Sequence, residues 1–385
     1  MKQTIWAIII LILFLSCKNK PNTSNEQIPE LMNNELPITL STQLGIDSLV
    51  LSSLTTKIEK QEYPNIHSLL IMKNGLLIYE NYFKGYDENY GNAIGLVQHS
   101  DTTLHDVRSI SKSVVSICMG IAINQGLIKG VNQNISQFFP NIEFKGDKSK
   151  WTIHHFLTMT TGLVWDKNSP YNNPQNDEIK MTYSHDPIAY VLNKPLKTAP
   201  GKKFNYNGGA TQVLAKIIER ASNMTLYQFV KEYLFLPLEI NHFEWNKYSV
   251  WNGSDEFAAP SGLRLTSRDL LKIGLLFRNK GVWKNKQIIP KEWVIEAISP
   301  KIDFPSEVTD GNEWYGYQFW IWPDIFNDSE FNMVAAIGNG GQNIFWDLKN
   351  DLIVVTTAGN YNNRSIKNDP YALLKNEVYP IVFYK

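Results

Sequence analysis

Two residues in the stretch Asp106-Val107-Arg108-Ser109-Ile110-Ser111-Lys112-Ser113 have the types and the spacing for acyl-transfer chemistry. Ser109 and Lys112 stand three apart, so on a helix they share a face and the amine reaches the hydroxyl. The residues that follow (Val114, Val115, Ile117, Cys118, Met119, Ile121, Ala122, Ile123) are apolar nearly all round, which predicts a buried helix with Gly126 as its stop. A lysine in apolar surroundings has its charged form disfavoured and can act as a base near neutral pH. A serine at a helix N-terminus sits among free backbone N–H groups and the positive end of the dipole, which suits a developing oxyanion. The S-x-x-K spacing also arises by chance in a chain of this length. The alternative is a capped helix start with a solvated lysine, and the rest of the chain has to decide.

Composition narrows the field. A chain of 385 residues is about two domains' worth, or one large two-lobed unit, and 43% apolar content builds a full core. Lys and Arg total 37, as do Asp and Glu, and no basic block appears, which argues against nucleic acid as a partner. Met1-Lys2-Gln3-Thr4 followed by an apolar run from Ile5 to Leu15 reads as a bacterial secretory signal, too short to span a bilayer comfortably. Ser16-Cys17 after it resembles a lipoprotein processing site, which would make 1–17 the leader and Cys17 the acylated N-terminus. Phe14 departs from the aliphatic residue that such sites prefer. The expected location is across the inner membrane, lipid-anchored and facing the periplasm or cell surface. With Cys17 acylated, Cys118 stands alone on the buried helix as a small core residue.

Residues 18–45, rich in Asn, Pro, Ser, Glu and Lys, read as a tether, and 46–385 as the folded domain. Asp47 caps a helix to about Lys60. Ile66–Met72 and Leu76–Phe83 read as strands joined at Asn74-Gly75, a strong hairpin signal. From about 110 to 260 the chain looks mainly helical. Thr152 caps a helix from Ile153 to Thr161 with Gly162 as stop, and Thr266-Ser267-Arg268-Asp269 has a capping-box spacing. Strands return at Tyr315–Trp322, Met333–Ile337, Asn343–Asp347 and Leu352–Ala358, with a closing helix at Pro370–Val378. Strands from both chain ends around a helical middle predict an α+β fold: one antiparallel sheet, flanked by terminal helices, with a helical lobe inserted.

Several stretches then fall into one order. They are Ser109-Ile110-Ser111-Lys112, Trp151 to Leu163, Pro200 to Gly208, Gly262 to Leu270, and Gly338-Asn339-Gly340-Gly341-Gln342. Over roughly residues 60 to 380 the chain thereby resembles the serine β-lactamase and penicillin-binding-protein superfamily. It looks most like the class C-like branch that includes esterases and 6-aminohexanoate-dimer hydrolases. The resemblance implies the β-lactamase/transpeptidase-like fold. It makes Ser109 the acylated nucleophile, Lys112 the lysine that activates it, and Tyr206 the partner base and proton donor to the leaving group. It makes the backbone N–H groups of Ser109 and Asn339, or Gly341 in a shifted alignment, the oxyanion hole. It sets Asn207, Gly338, Gly340 and Gln342 along the substrate.

Two departures bear on the substrate. Gly208 stands where lactamases carry an Asn two residues after the tyrosine, and no Lys or His precedes the glycines of the third motif. That cation holds a substrate carboxylate in the lactamase-like families, so its absence argues against an efficient β-lactamase. The expected function is a serine hydrolase of ester or amide bonds. The alternative is a non-catalytic protein of the same fold that binds cell-wall peptide or other acyl compounds. There is no G-x-S-x-G elbow, no H-E-x-x-H and no paired C-x-x-C, and His154-His155 read as structural. No metal and no cofactor are implied.

Overall fold

The computed structural model describes residues 36–383, apart from 38, 40, 172, 306–311, 327–328, 364 and 367–368. The leader, Cys17 and residues 18–35 lie outside the described residues. The expected tether ends earlier than 45. Leu36 is buried, and Pro37 and Thr39 exchange backbone hydrogen bonds with Leu77, so the chain is already part of the fold at these residues.

α1 (Ser48–Glu59) starts where Asp47 accepts the Leu49 N–H, and it turns Leu51, Leu54 and Ile58 inward. Each such side chain contributes about 1.5–3 kcal/mol on full burial. β1 (Ile66–Lys73) and β2 (Leu76–Tyr82) form the expected hairpin, with Asn74 and Gly75 both at positive φ. The main sheet runs, in spatial order, Ile302–Pro305, Asn312–Tyr315, Trp320–Phe326, Ser329–Gly338, Gln342–Asp347, Leu352–Ala358, β1 and β2, every neighbour antiparallel. Both faces are covered, and Leu69–Met72 of β1 is a continuous apolar run. Leu69 and Ile71 pack toward α1 and the C-terminal helices; Leu70 and Met72 pack toward the helical lobe.

The inserted lobe carries α2 (Ile110–Asn124) and the Gly208–Ser222 helix, which pack against each other. Three short strands, β3 (Lys84–Asn89), β4 (Asn92–Gln98) and β5 (His105–Asp106), lie between β2 and α2 in the chain.

Three expected elements differ. Tyr315–Trp322 is a hairpin, not one strand: Tyr315 pairs with Trp320 across a turn in which Gln318 has φ +68°. The turn is held because the buried Gln318 amide bonds the Phe156 and Leu157 carbonyls and accepts from Thr211, and its backbone carbonyl accepts from Ser113. The helix after Thr152 stops at Leu157, because the Met159 and Thr160 carbonyls turn to the N–H groups of Asn205 and Gly201. The closing helix continues past Val378 to Phe383.

Candidate active site

α2 is the element that positions the reactive pair. Ser109 is its N-cap residue and makes no side-chain cap bond, so its hydroxyl stays available. One turn on, the Lys112 amine lies 2.9 Å from Ser109 Oγ and 2.9 Å from the Pro260 carbonyl oxygen. Lys112 is 4% exposed, and burial lowers its pKa from the usual 10.5, against an upward pull from Glu178 and Tyr171. No carboxylate is within ion-pair distance of it among the described residues. The carbonyl of Pro260 takes one N–H and orients the amine toward the serine.

The residue before Ser109 is held in an uncommon conformation. Arg108 has φ +49°, and its side chain is fixed by ion pairs to Glu88 and to buried Asp106 and by the face of Tyr361 at 4.8 Å. Asp106 is paired in turn with Arg264 at 2.9 Å. This network anchors the entry to α2 and so aims the Ser109 N–H and Oγ.

Tyr206 arrives from the opposite side. Gly162 lies against the Thr198 carbonyl, where an added Cβ would be 2.2 Å away, and its φ is +78°, so only glycine lets the two stretches close. Tyr206 then packs among aromatics, its ring 5.3 Å from Trp320 and 6.2 Å from Tyr315. Lys112 Nζ sits 5.1 Å from the ring centre. Burial raises the phenol's pKa above 10.0, as does Glu178, while the Ser109 hydroxyl beside it pulls the other way. The phenol therefore stays protonated at neutral pH.

Ser109 and Tyr206 open into one cavity of about 700 Å³, lined also by Tyr171, Trp320, Ile337 and Asn339. Among its described lining residues there is no lysine, arginine or histidine. The Ser329–Gly338 strand lies close against the segment ahead of Ser109 because Gly338 has no side chain: a Cβ there would meet the Val107 carbonyl at 2.2 Å. Asn339 reaches the cavity, and its side chain is engaged with Asn362. Gly341 donates its N–H to the Gly338 carbonyl at 3.4 Å and does not line the Ser109 cavity. Gly340 lines a neighbouring cavity of about 270 Å³ that shares Trp320, Ile337 and Asn339 with the first.

None of the four expected substrate contacts is among the described residues lining the Ser109 cavity: Gly338 and Gly340 line its neighbour, and Asn207 and Gln342 line neither. Asn207 is fully buried as the N-cap of its helix, accepting from the Ala210 N–H and donating to the Asn205 carbonyl. Gln342 is fully buried with its amide bonded to the Ala358 backbone. Sequence reasoning missed Glu178. Its carboxylate accepts from the Gly208 N–H and from Trp165 at 3.2 Å, and it fills the space a residue-208 side chain would occupy, 2.2 Å from an ideal Cβ. Gly208 is thus one half of an exchange whose other half lies 30 residues upstream.

With the fold and this constellation in place, the beta-lactamase family model matches residues 62–376, and the chain belongs to that family. Similar relatives include the 6-aminohexanoate-dimer hydrolase of Paenarthrobacter ureafaciens, 24% identical over 65% of this chain and 65% of its own length. A beta-lactamase of Yersinia enterocolitica is 24% identical over 52% of this chain and 47% of its own. The matches thus span about half to two thirds of these curated relatives. Among solved structures, EstCE1, described as a hydrolase with promiscuous acyltransferase activity, superposes with a TM-score of 0.66 at 16% identity, covering 88% of this chain and 99% of that one. The octameric penicillin-binding protein homologue from Pyrococcus abyssi gives 0.62 at 21%, covering 85% and 76%. At these identities the superpositions speak for the fold alone.

Proposed function

We propose that the protein is a serine hydrolase that cleaves ester or amide bonds through an acyl-enzyme on Ser109. The observation that carries this is the buried amine 2.9 Å from a helix-capping serine whose hydroxyl opens into a cavity. The neutral Lys112 amine takes the Ser109 proton as Oγ bonds to the substrate carbonyl carbon. The N–H groups of Ser109 and Asn339 hold the resulting oxyanion. The Tyr206 phenol gives its proton to the leaving alcohol or amine as that bond breaks, and the Lys112 ammonium restores it. Water then attacks the acyl carbon by the same route in reverse, releasing the acid and free Ser109.

The aromatic and neutral lining fits an uncharged acyl group better than a carboxylate-bearing one, and the described lining has no cation to hold a carboxylate. The relatives' names, a hydrolase of an amide dimer and a beta-lactamase, agree with acyl transfer as the reaction class. Turnover of p-nitrophenyl esters and of a nitroanilide, with a chromogenic cephalosporin beside them, tests the reading. Ester or anilide hydrolysis is expected, with the cephalosporin slow or inert. Absence of turnover on every substrate by a folded protein would favour the acyl-compound binder instead.

We propose further that Cys17 carries the lipid that holds the domain at the membrane. Cys17→Ala should move the protein from the membrane to the soluble fraction of the cell envelope. Unchanged membrane retention would contradict it.

A further inference from the structure

Away from the serine, four residues that are scattered in the sequence converge behind the entry to α2. They are His67 on β1, Asp87 on β3, His99 just after β4 and His105 on β5. All four are buried, from 0% to 5% exposed, and one ligand atom of each lies within 4.8 Å of every other. Side-chain atoms of this cluster lack a hydrogen-bond partner: Nδ1 of His67, Nδ1 of His105, Oδ2 of Asp87 and the ring nitrogens of His99, near one of which lies the Gly85 backbone. Leaving buried polar groups unpaired costs about 1–3 kcal/mol each, so such a concentration asks for an occupant.

The outer atoms are held. His67 Nε2 donates to the Tyr86 carbonyl at 3.0 Å, which leaves Nδ1 as a bare lone pair. His105 Nε2 lies 3.4 Å from Thr357 Oγ1. Asp87 Oδ1 accepts from the Glu88 N–H at 2.8 Å and from Tyr361 at 3.3 Å. Metal-binding imidazoles and carboxylates are oriented in this way, by a partner on the atom that does not bind. Arg108 and Arg264 lie close by, but Glu88, Asp106 and Glu244 already pair them.

We propose that His67, Asp87, His99 and His105 form a closed structural site for one zinc ion. Three imidazoles and one carboxylate without thiolate are a zinc donor set, and four protein ligands without an open position mark a structural rather than a catalytic site. Zinc bonds of about 2.0–2.1 Å set tetrahedral ligand atoms roughly 3.3 Å apart, so the cluster closes in when loaded. His99, stacked on His67 at 3.8 Å between ring centres, is the side chain that turns to make this possible. The ion ties β1, β3, the segment after β4 and β5 into one knot, four residues ahead of Ser109.

The test is the metal content of the full-length chain, purified in detergent without a polyhistidine tag from cells grown with added zinc. About one zinc per chain is expected. Stripping with a chelator should lower the midpoint of thermal unfolding by at least about 5 °C, and zinc should restore it. Cobalt loaded in its place should give the intense visible bands of tetrahedral coordination. Asp87→Asn and His99→Ala should each reduce bound zinc at least tenfold. Less than about a tenth of an equivalent of any transition metal, with no change in melting on adding zinc, would overturn the site and leave a hydrogen-bonded cluster of neutral groups. If a variant does not fold, the wild-type content and the zinc-dependent melting decide alone.

Discussion

The Ser109 site and the His67–His105 cluster are built from the same material, buried ionisable side chains whose charged forms the protein disfavours, yet they differ in what surrounds them. Lys112 and Tyr206 lie against each other and both meet Ser109, which with Tyr206 opens into a cavity. The three histidines and Asp87 are buried together, held from outside by Tyr86, Glu88, Tyr361 and Thr357. Burial in the first place tunes reactivity, and in the second it stores unpaired lone pairs. Losses at the open site should therefore be losses of rate, and losses at the closed one losses of stability.

The sharpest test of that division is Lys112→Met. It removes the base and also removes a buried amine, so acylation should fall about 10³-fold or more while the unfolding midpoint holds or rises. A variant that melts much lower would make Lys112 a structural residue. Tyr206→Phe keeps the packing against Trp320 and Tyr315 and deletes only the proton donor. A loss of about 10²-fold in kcat is expected, smaller for esters with good leaving groups than for anilides, because a good leaving group needs the proton less. Equal loss on both would remove Tyr206 from the leaving-group role.

Gly85→Ala probes the closed side. Its Cβ would lie 2.6 Å from the His67 ring and 2.7 Å from the Asn65 side chain. Urea unfolding should report about 1–3 kcal/mol of lost stability with kcat nearly unchanged. The smallest effect concerns pH. The rate should rise with pH as Lys112 loses its proton, along a limb placed below the usual lysine value by burial. Glu178 favours the ammonium, so Glu178→Gln should move that limb to lower pH while still accepting the Gly208 N–H. Movement upward, or none, would detach Glu178 from the base.

The open site was legible in the sequence because its parts are local. Ser109 and Lys112 are one helical turn apart, while Tyr206 is legible only through the family resemblance of the stretch Pro200 to Gly208. The main hairpin and the Asp47 and Thr266 caps were legible for the same reason. What escaped is non-local. Gly208 reads as a missing asparagine until Glu178 is found filling its place. Asn207 and Gln342 carry the types of substrate-binding residues, and only the fold shows their amides spent on backbone groups. Tyr315–Trp322 has the composition of a strand, and the turn at Gln318 is imposed by carbonyls more than 150 residues away in the chain. The cluster is the extreme case: four ligands on four segments, at spacings that match no metal signature, meeting only once the strands pair.

The central claim is that Ser109 is an activated nucleophile. The most direct measurement is the intact mass of the full-length chain after exposure to a fluorophosphonate, beside Ser109→Ala. A single adduct on the wild type, absent from the variant and mapped by peptide mass to the segment holding Ser109, is the predicted result. A folded wild type that takes up no label, or a label that persists in Ser109→Ala, would contradict it.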